Sequence, residues 1–427
     1  MVMRLLDTET FEMVSGEQST FKQEGYAILS HRWVGREITF EQIQNSASQL
    51  RGKAVQPTAQ LAKIRGACDR AREQGLKWMW IDSCCINKAS TVEESEAINS
   101  MFRWYRDAKL CITYLSDVRY SANGPRDDVF LTTEGRGPSV WFSRGWTLQE
   151  LLAPRAMQFF DMDWRYMGTK FELADLLARI TRIDVSYLTG EKHFGTACIA
   201  SKMSWLASRE TARVEDLAYS MLGIFNVVLT PQYGEGMGAF MRLQQLLLST
   251  QTDESLFAWK LPKDQPLQTF AVPGGWEADE WGLLAPSPSC FWDSNRLTIV
   301  GKPLPRVHGG FMMTQQGLQV PIFDPGKART LSAVVCPLWV LGPLVWCILV
   351  RSARAKDILF PLNCWRTGPQ GGGAAVQLRL RRTVKRGVML KRIRCHDLEY
   401  TYDIPSNSRA QRAEPHTVLQ PQQSYLD

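Results

Sequence analysis

The stretch KWMWIDSCCINKASTVEESEAINSMFRWYRDAKLCITYL, residues 77–115, decides the fold of the N-terminal part of the chain. Its apolar pattern predicts a buried strand over 77–82, an amphipathic helix, and a second buried strand over 110–115. Thr91 and Glu94 have the T-x-x-E spacing of a capping box, which is typical of a helix start. The stretch therefore predicts a strand, a helix and a strand.

The same alternation continues on both sides of this stretch. Tyr26–Ser30 predicts a short buried strand, and 57–74 has apolar residues at helical spacing. A helix around Trp146–Leu152 is predicted next, followed by an apolar strand over Ala156–Phe160. Strands that alternate with helices in this way favour an α/β fold, with a parallel sheet covered by helices on both faces.

The pattern changes twice further along the chain. From about 166 to 260 it predicts a helical extension, and beyond a Pro- and Gly-rich boundary near 260–275 it predicts mainly β structure. The last residues are polar and rich in Gln, Pro and Ser, which is typical of disorder. We predict an α/β core over 1–165, a helical extension over 166–260, a β-rich basic domain over 275–404 and a disordered tail over 405–427.

The charge distribution and the cysteine pattern limit the classes of protein to which the chain can belong. The formal net charge of +7 arises from the second part, because residues 261–427 hold 20 basic and 12 acidic side chains. Ten cysteines without Cys/His zinc spacing favour reduced thiols and predict no metal site. The first residues carry charges and lack a secretory apolar core, so we expect a cytoplasmic protein.

Two segments of the second part leave alternatives open. Leu331–Val350 carries no charge over 20 residues and is long enough to span a membrane, but its internal prolines and glycine favour two buried strands. Arg379–Arg394 holds eight basic residues and no acidic one among alternating apolar residues, which predicts a strand pair with one basic face. A solvated surface is the preferred interpretation of that face, and contact with an anionic membrane is the alternative; no clear nucleic-acid partner is indicated.

Four segments of the N-terminal part are distinctive: GYAILSHRW (25–33), WIDSCCINK (80–88), EAINSMFRWYRDAKLC (96–111) and WFSRGWTLQELLAP (141–154). Together they resemble signature blocks of the fungal heterokaryon-incompatibility (HET) family. The resemblance implies a role in non-self recognition that ends in programmed cell death, with a homo-oligomer or another incompatibility protein as partner. Arg32, Asn87 and Asn226 depart from residues that are more usual in the family.

Candidate site residues follow the predicted strands. Ligands of open parallel sheets bind beyond the carboxyl ends of the strands, where Ser30, His31 and Arg32 follow one strand and Asp82 follows another. A thiol nucleophile, with His31 as the base for Cys84 or Cys85, is an alternative. The Gly-rich string YGEGMGAF, at 233–240, fits a structural turn that opens a helix better than a nucleotide loop.

The segment RGWTLQELL, residues 144–152, resembles the W-C-x-x-E-L helix of TIR domains, with Trp146 and Glu150 at that motif's Trp and Glu. This resemblance implies a flavodoxin-like, TIR-like fold and Glu150 as the catalytic residue of an NAD glycohydrolase. NAD would be a substrate, and no cofactor is required. A carboxylate can stabilise the oxocarbenium-like ribose that forms when a glycosidic bond breaks. The alternative is a non-catalytic scaffold that acts by self-association.

Overall fold

The computed structural model describes residues 2–51, 58–262 and 280–299, and it describes shorter segments of the C-terminal part. The chain divides into two compact units. The first contains 1–196 and 208–239, and the second contains 197–207 and 240–427. The shorter described segments are 312–314, 317–322, 357–367, 373–382, 389–393, 395, 397–401 and 414–418.

A seven-stranded sheet forms the centre of the first unit. The strands are β1 (Val2–Asp7), β2 (Met13–Glu17), β3 (Tyr26–His31), β4 (Trp78–Trp80), β5 (Leu110–Tyr114), β6 (Met157–Phe160) and β7 (Tyr166–Thr169). Their spatial order is β2-β1-β4-β3-β5-β6-β7. β3 runs parallel to β4 and β5, and β5 runs parallel to β6, whereas β1, β2 and β7 pair antiparallel.

The four parallel strands confirm the predicted fold class. Along the chain, β3, β4, β5 and β6 are the first to fourth parallel strands. Side by side in the sheet they lie in the order second, first, third, fourth, which matches the first four strands of the flavodoxin-type order. All six residues of β3 are buried, as expected of a central strand with both faces covered. The N-terminal hairpin of β1 and β2 was not predicted, because its alternation is short and contains charged residues.

Helices connect and extend these strands. The bounds are α1 (Gln18–Glu24), α2 (Phe40–Arg51), α3 (Ala59–Glu73), α4 (Asp82–Cys85), α5 (Thr91–Asp107), α6 (Thr147–Leu152), α7 (Ala174–Thr181), α8 (Val185–Leu188), α9 (Ile199–Leu206), α10 (Asp216–Tyr219), α11 (Leu222–Phe225) and α12 (Gly238–Thr250). The N-cap of α5 is Ser90, whose hydroxyl accepts from the Glu93 amide at 3.4 Å. The predicted capping box at Thr91 was therefore wrong by one residue, because Thr91 is already helical.

The second unit is built on an eight-stranded sheet. Its strands are β8 (Leu297–Ile299), β9 (Met312–Thr314), β10 (Gly317–Ile322), β11 (Asp357–Thr367), β12 (Gly373–Arg382), β13 (Met389–Ile393), β14 (Glu399–Thr401) and β15 (Glu414–Val418). All described pairs are antiparallel except β13 with β15. The mainly β character of this region confirms the prediction.

Two helices of the predicted extension lie with the second unit. Every residue of α9 is buried, and this helix packs on the one-turn segments Glu254–Phe257 and Pro288–Phe291. The Gln244 side chain of α12 exchanges two hydrogen bonds with the Ala285 backbone, at 2.9 and 2.8 Å. The predicted helical extension is therefore divided between the units.

The structure describes parts of the predicted disordered tail, 405–427, and of the basic segment Arg379–Arg394. β15 lies inside 405–427 and pairs with β10 and β13, so that part of the disorder prediction was wrong. Backbone pairing does not require apolar side chains, and the polar composition therefore did not reveal this strand. β12 and β13 confirm the predicted strand pair within Arg379–Arg394.

The apolar segment Leu331–Val350 lies outside the described residues. Among the helices that the structure does describe, none is long and apolar enough to cross a membrane.

Candidate functional site

A cavity of about 280 Å³ lies beyond the carboxyl ends of β3 and β4 in the first unit. It contains five of the six predicted site residues, and the sixth, Ser30, contacts one of those five. Residues of α5 and of 212–233 complete the walls. The lining residues are His31, Arg32, Trp33, Asp82, Ile86, Lys88, Glu94, Ala97, Ile98, Met101, Arg144, Trp146, Thr147, Glu150, Ala212, Arg213, Asp216 and Tyr233.

Glu150 is held at the inner wall of this cavity by a buried hydrogen-bond chain. The Ser30 hydroxyl donates to Oε2 of Glu150 at 2.6 Å, and Nε1 of Trp141 donates to the Ser30 oxygen at 2.9 Å. Ser30 and Trp141 are almost fully buried, and Glu150 is 9% exposed. The short helix α6 thus presents a carboxyl group in a fixed orientation, which is what electrostatic stabilisation of a reacting atom requires.

Burial changes the acidity of this carboxyl group. Loss of hydration raises the pKa of Glu150 to about 8, although the Ser30 hydrogen bond and the nearby charge of Arg209 oppose this change. Burial also lowers the pKa of Arg209 to about 9, against the pull of Glu150. A buried carboxyl group that titrates near neutral pH in a cavity is a strong candidate for a functional group.

His31 and Asp82 line the same cavity as Glu150, and their side chains face each other. His31 Nε2 lies 3.8 Å from Asp82 Oδ1, and neither atom has a hydrogen-bond partner among the described residues. Burial lowers the pKa of His31 to about 4, so the imidazole is neutral at physiological pH. A donor or acceptor nitrogen and a carboxylate oxygen are thus held close together at the cavity wall without a partner in the described part of the chain.

A buried ion pair between Lys63 and Glu37 lies next to His31. Nζ of Lys63 lies 2.6 Å from both carboxylate oxygens of Glu37, and both side chains are buried. The Glu37 carboxylate is also 3.9 Å from Nε2 of His31, and it accepts the Val34 amide at 3.0 Å. This pair fixes the loop that follows β3.

Segment 208–239 supplies the opposite wall, which sequence reasoning missed. The guanidinium of Arg213 lies over the Tyr233 ring at 4.1 Å, and the Tyr233 hydroxyl donates to Asp216 at 3.0 Å. Trp146 also hydrogen-bonds Asp216, whose pKa is raised by burial. The four family-like segments of the sequence end at residue 154, so they gave no signal for the residues of 208–239.

The Gly-rich turn before α12 is structural, as predicted. The amides of Gly234 and Gly236 donate to one oxygen of Glu215 at 2.8 and 3.0 Å. Burial alone would favour the neutral acid, but these amide hydrogen bonds outweigh it and lower the pKa of Glu215. The turn therefore binds a carboxylate of its own chain.

The thiol alternative is disfavoured by the chemistry of Cys84 and Cys85. Both side chains are buried, and a hydrogen bond with Cys85 together with burial raises the pKa of the Cys84 thiol well above its ordinary value. Nucleophilic cysteines require the thiolate form, which these surroundings oppose. In the described part of the chain, no group of His, Cys, Asp and Glu side chains has the arrangement of a metal site.

Gly145 sets how closely α6 approaches segment 208–239. Its amide donates to the Glu210 carbonyl at 2.8 Å, and an added Cβ would lie 2.5 Å from Cγ2 of Thr211. We expect Gly145→Ala to lower the free energy of unfolding by roughly 1–3 kcal/mol through overpacking. Urea denaturation checks this, and the double variant with Thr211→Ser, which lacks the clashing methyl group, should recover most of the loss. Full stability of the single variant would contradict the close approach.

Comparisons with known proteins show which family part of the chain resembles. Residues 26–134 match the profile of the family described as "Heterokaryon incompatibility protein (HET)". The vegetative incompatibility protein HET-E-1 of Podospora anserina is 39% identical over 216 residues, which is 49% of this chain and 15% of that protein. The chain thus spans a small part of this relative. No solved structure matches significantly.

Proposed function

We propose that the first unit contains a heterokaryon-incompatibility domain and that the chain acts in vegetative incompatibility by cleaving NAD, which promotes cell death. The observation that supports this proposal best is the buried Glu150, hydrogen-bonded to Ser30 in a cavity beyond the carboxyl ends of β3 and β4. Ligands of open parallel sheets bind at this edge. The TIR-like position of Glu150 in the sequence indicates the chemistry.

The proposed reaction needs one charged group and two orienting groups. The bond between C1′ of the ribose and the nicotinamide nitrogen breaks, and its electron pair leaves with nicotinamide. The Glu150 carboxylate stabilises the oxocarbenium-like ribose, and water then adds to C1′ and releases a proton to that carboxylate. We assign the binding of ribose hydroxyls to His31 and Asp82, because both side chains line the same cavity as Glu150.

The acidity of Glu150 predicts how the rate depends on pH. The carboxylate is the active form, and its pKa of about 8 leaves it a minority species at pH 6.5. We expect kcat/KM for nicotinamide release from NAD to rise about tenfold for each pH unit below 8 and to level off above it. His31, with a pKa of about 4, adds no further change above pH 5. A flat profile between pH 6 and 8 would contradict the assignment.

The test of the function uses the purified chain of residues 1–427 and NAD, with nicotinamide release measured by chromatography. Total NAD is followed in parallel in cells that express the chain. Nicotinamide release by the purified chain, together with NAD depletion in cells, would support the proposed NAD cleavage. Cell death at constant NAD, accompanied by self-association in sedimentation, would instead support the scaffold.

A further inference from the structure

A second cavity of about 380 Å³ adjoins the candidate site within the first unit. The two cavities share three lining residues, Trp33, Ile86 and Lys88. The other walls of the second cavity come from 35–41, around the start of α2, and from 83–89, after β4. The shared residues therefore form a partition between two neighbouring cavities.

Polar contacts hold this partition in place. Nε1 of Trp33 donates to Asp82 Oδ2 at 2.9 Å, so the indole is tied to the first cavity. The Lys88 ammonium lies 3.6 Å from the centre of the Trp33 ring, a cation–π contact. Because Lys88 lines both cavities, its positive charge lies at their junction, where it can attract a phosphate group.

The second cavity has the chemistry of a nucleotide site. Trp33 and Phe40 supply aromatic rings on which a base can stack. Arg36 adds an exposed guanidinium, and Asn87 adds a side-chain amide that can bond the edge of a base. One face of the Phe40 ring is covered by the Arg4 guanidinium at 4.7 Å, which supports the ring from the side of β1.

Size distinguishes a dinucleotide from a smaller ligand. Sites for ligands of drug size measure about 300–1,000 Å³, and the first cavity alone, at about 280 Å³, falls below that range. The second cavity provides the missing volume on the far side of the Lys88 charge. A dinucleotide has two nucleoside halves joined by a pyrophosphate. The two halves match the two cavities, and the pyrophosphate matches the Lys88 charge between them.

We propose, on the basis of the NAD cleavage inferred above, that the second cavity binds the adenosine half of the dinucleotide while its pyrophosphate lies at Lys88. The nicotinamide riboside half then lies in the first cavity, next to Glu150. The second cavity is thus a specificity site: it distinguishes a dinucleotide from a mononucleotide without touching the reacting atoms.

Ala89→Trp fills the second cavity and tests this assignment, because Ala89 lines that cavity but not the first. We expect KM for NAD to rise at least tenfold, while KM for nicotinamide mononucleotide stays within twofold of the native value. Ala122→Trp, an equal change at an exposed residue outside both cavities, is the control. An equal effect on the two substrates, or no effect on NAD, would overturn the proposal.

A second variant covers the case in which Ala89→Trp does not fold. Arg36→Glu reverses an exposed charge, so we expect it to fold and to raise KM for NAD at least fivefold, with Arg155→Glu as the exposed control. If the native chain cleaves neither substrate, the proposed function fails, and calorimetry with ADP tests the cavity separately. ADP binding that Arg36→Glu weakens at least fivefold would support the nucleotide site, and binding that is absent or unchanged would refute it.

Discussion

Glu150→Gln should reduce nicotinamide release from NAD by at least 100-fold, with KM for NAD changed by less than threefold. The amide keeps the size and the oxygen that accepts from Ser30, but it lacks the negative charge that stabilises the ribose in the transition state. Loss in kcat with little change in KM is the result expected when an interaction acts in the transition state. Steady-state kinetics on the full chain measures both constants.

The same variant should be more stable than the native chain at alkaline pH. The pKa of Glu150 is raised from 4.5 to about 8 in the folded state, so the folded chain binds this proton more tightly than the unfolded chain. That contribution to stability is complete below pH 4.5 and is lost as pH rises through 8. Relative to Glu150→Gln, the native free energy of unfolding should fall by roughly 1.4 kcal/mol per pH unit between these values.

Two outcomes would contradict the role of Glu150. The first is a folded Glu150→Gln chain that releases nicotinamide at the native rate. The second is an equal loss of activity in Glu191→Gln, the matched change at an exposed residue of the first unit. Chemical denaturation at pH 6 and pH 9 shows whether the variant folds, and it tests the stability prediction on the same samples.

Lys63→Met is expected to lower the free energy of unfolding by about 3–5 kcal/mol, because it leaves the buried Glu37 carboxylate without its cation. Urea denaturation measures the loss. The double variant Lys63→Met with Glu37→Gln should recover most of it, since the amide carries no charge and its oxygen still accepts the Val34 amide.

Lys63→Met should also change the pKa of His31. The Lys63 charge lowers the pKa of His31 and the Glu37 charge raises it, so removal of Lys63 should raise the pKa of this imidazole. NMR titration of His31 detects the change. Lys77→Met is the control, because Lys77 is 66% exposed and lies 3.8 Å from Asp7, and such surface pairs contribute about 0–1 kcal/mol. Equal losses in Lys63→Met and Lys77→Met would contradict the buried pair.

The sequence by itself determined the parallel sheet and the position of several site residues. The strands around 26–30, 77–82 and 110–115 are short apolar runs, and their length and their β-branched and aromatic residues favour buried strands over helices. Their carboxyl ends lie at one edge of the sheet, so Ser30, His31 and Asp82 could be assigned to a common region before the structure was known.

Only the tertiary structure decided what surrounds Glu150. Arg209, Arg213 and Tyr233 lie about 60–80 residues further along the chain, and no local pattern shows that they pack beside α6. The unusual acidity of Glu150 likewise arises from loss of hydration in the folded core, a property of all its neighbours together. Periodicity determines which residues face a core, whereas the approach of distant segments determines which charges meet there.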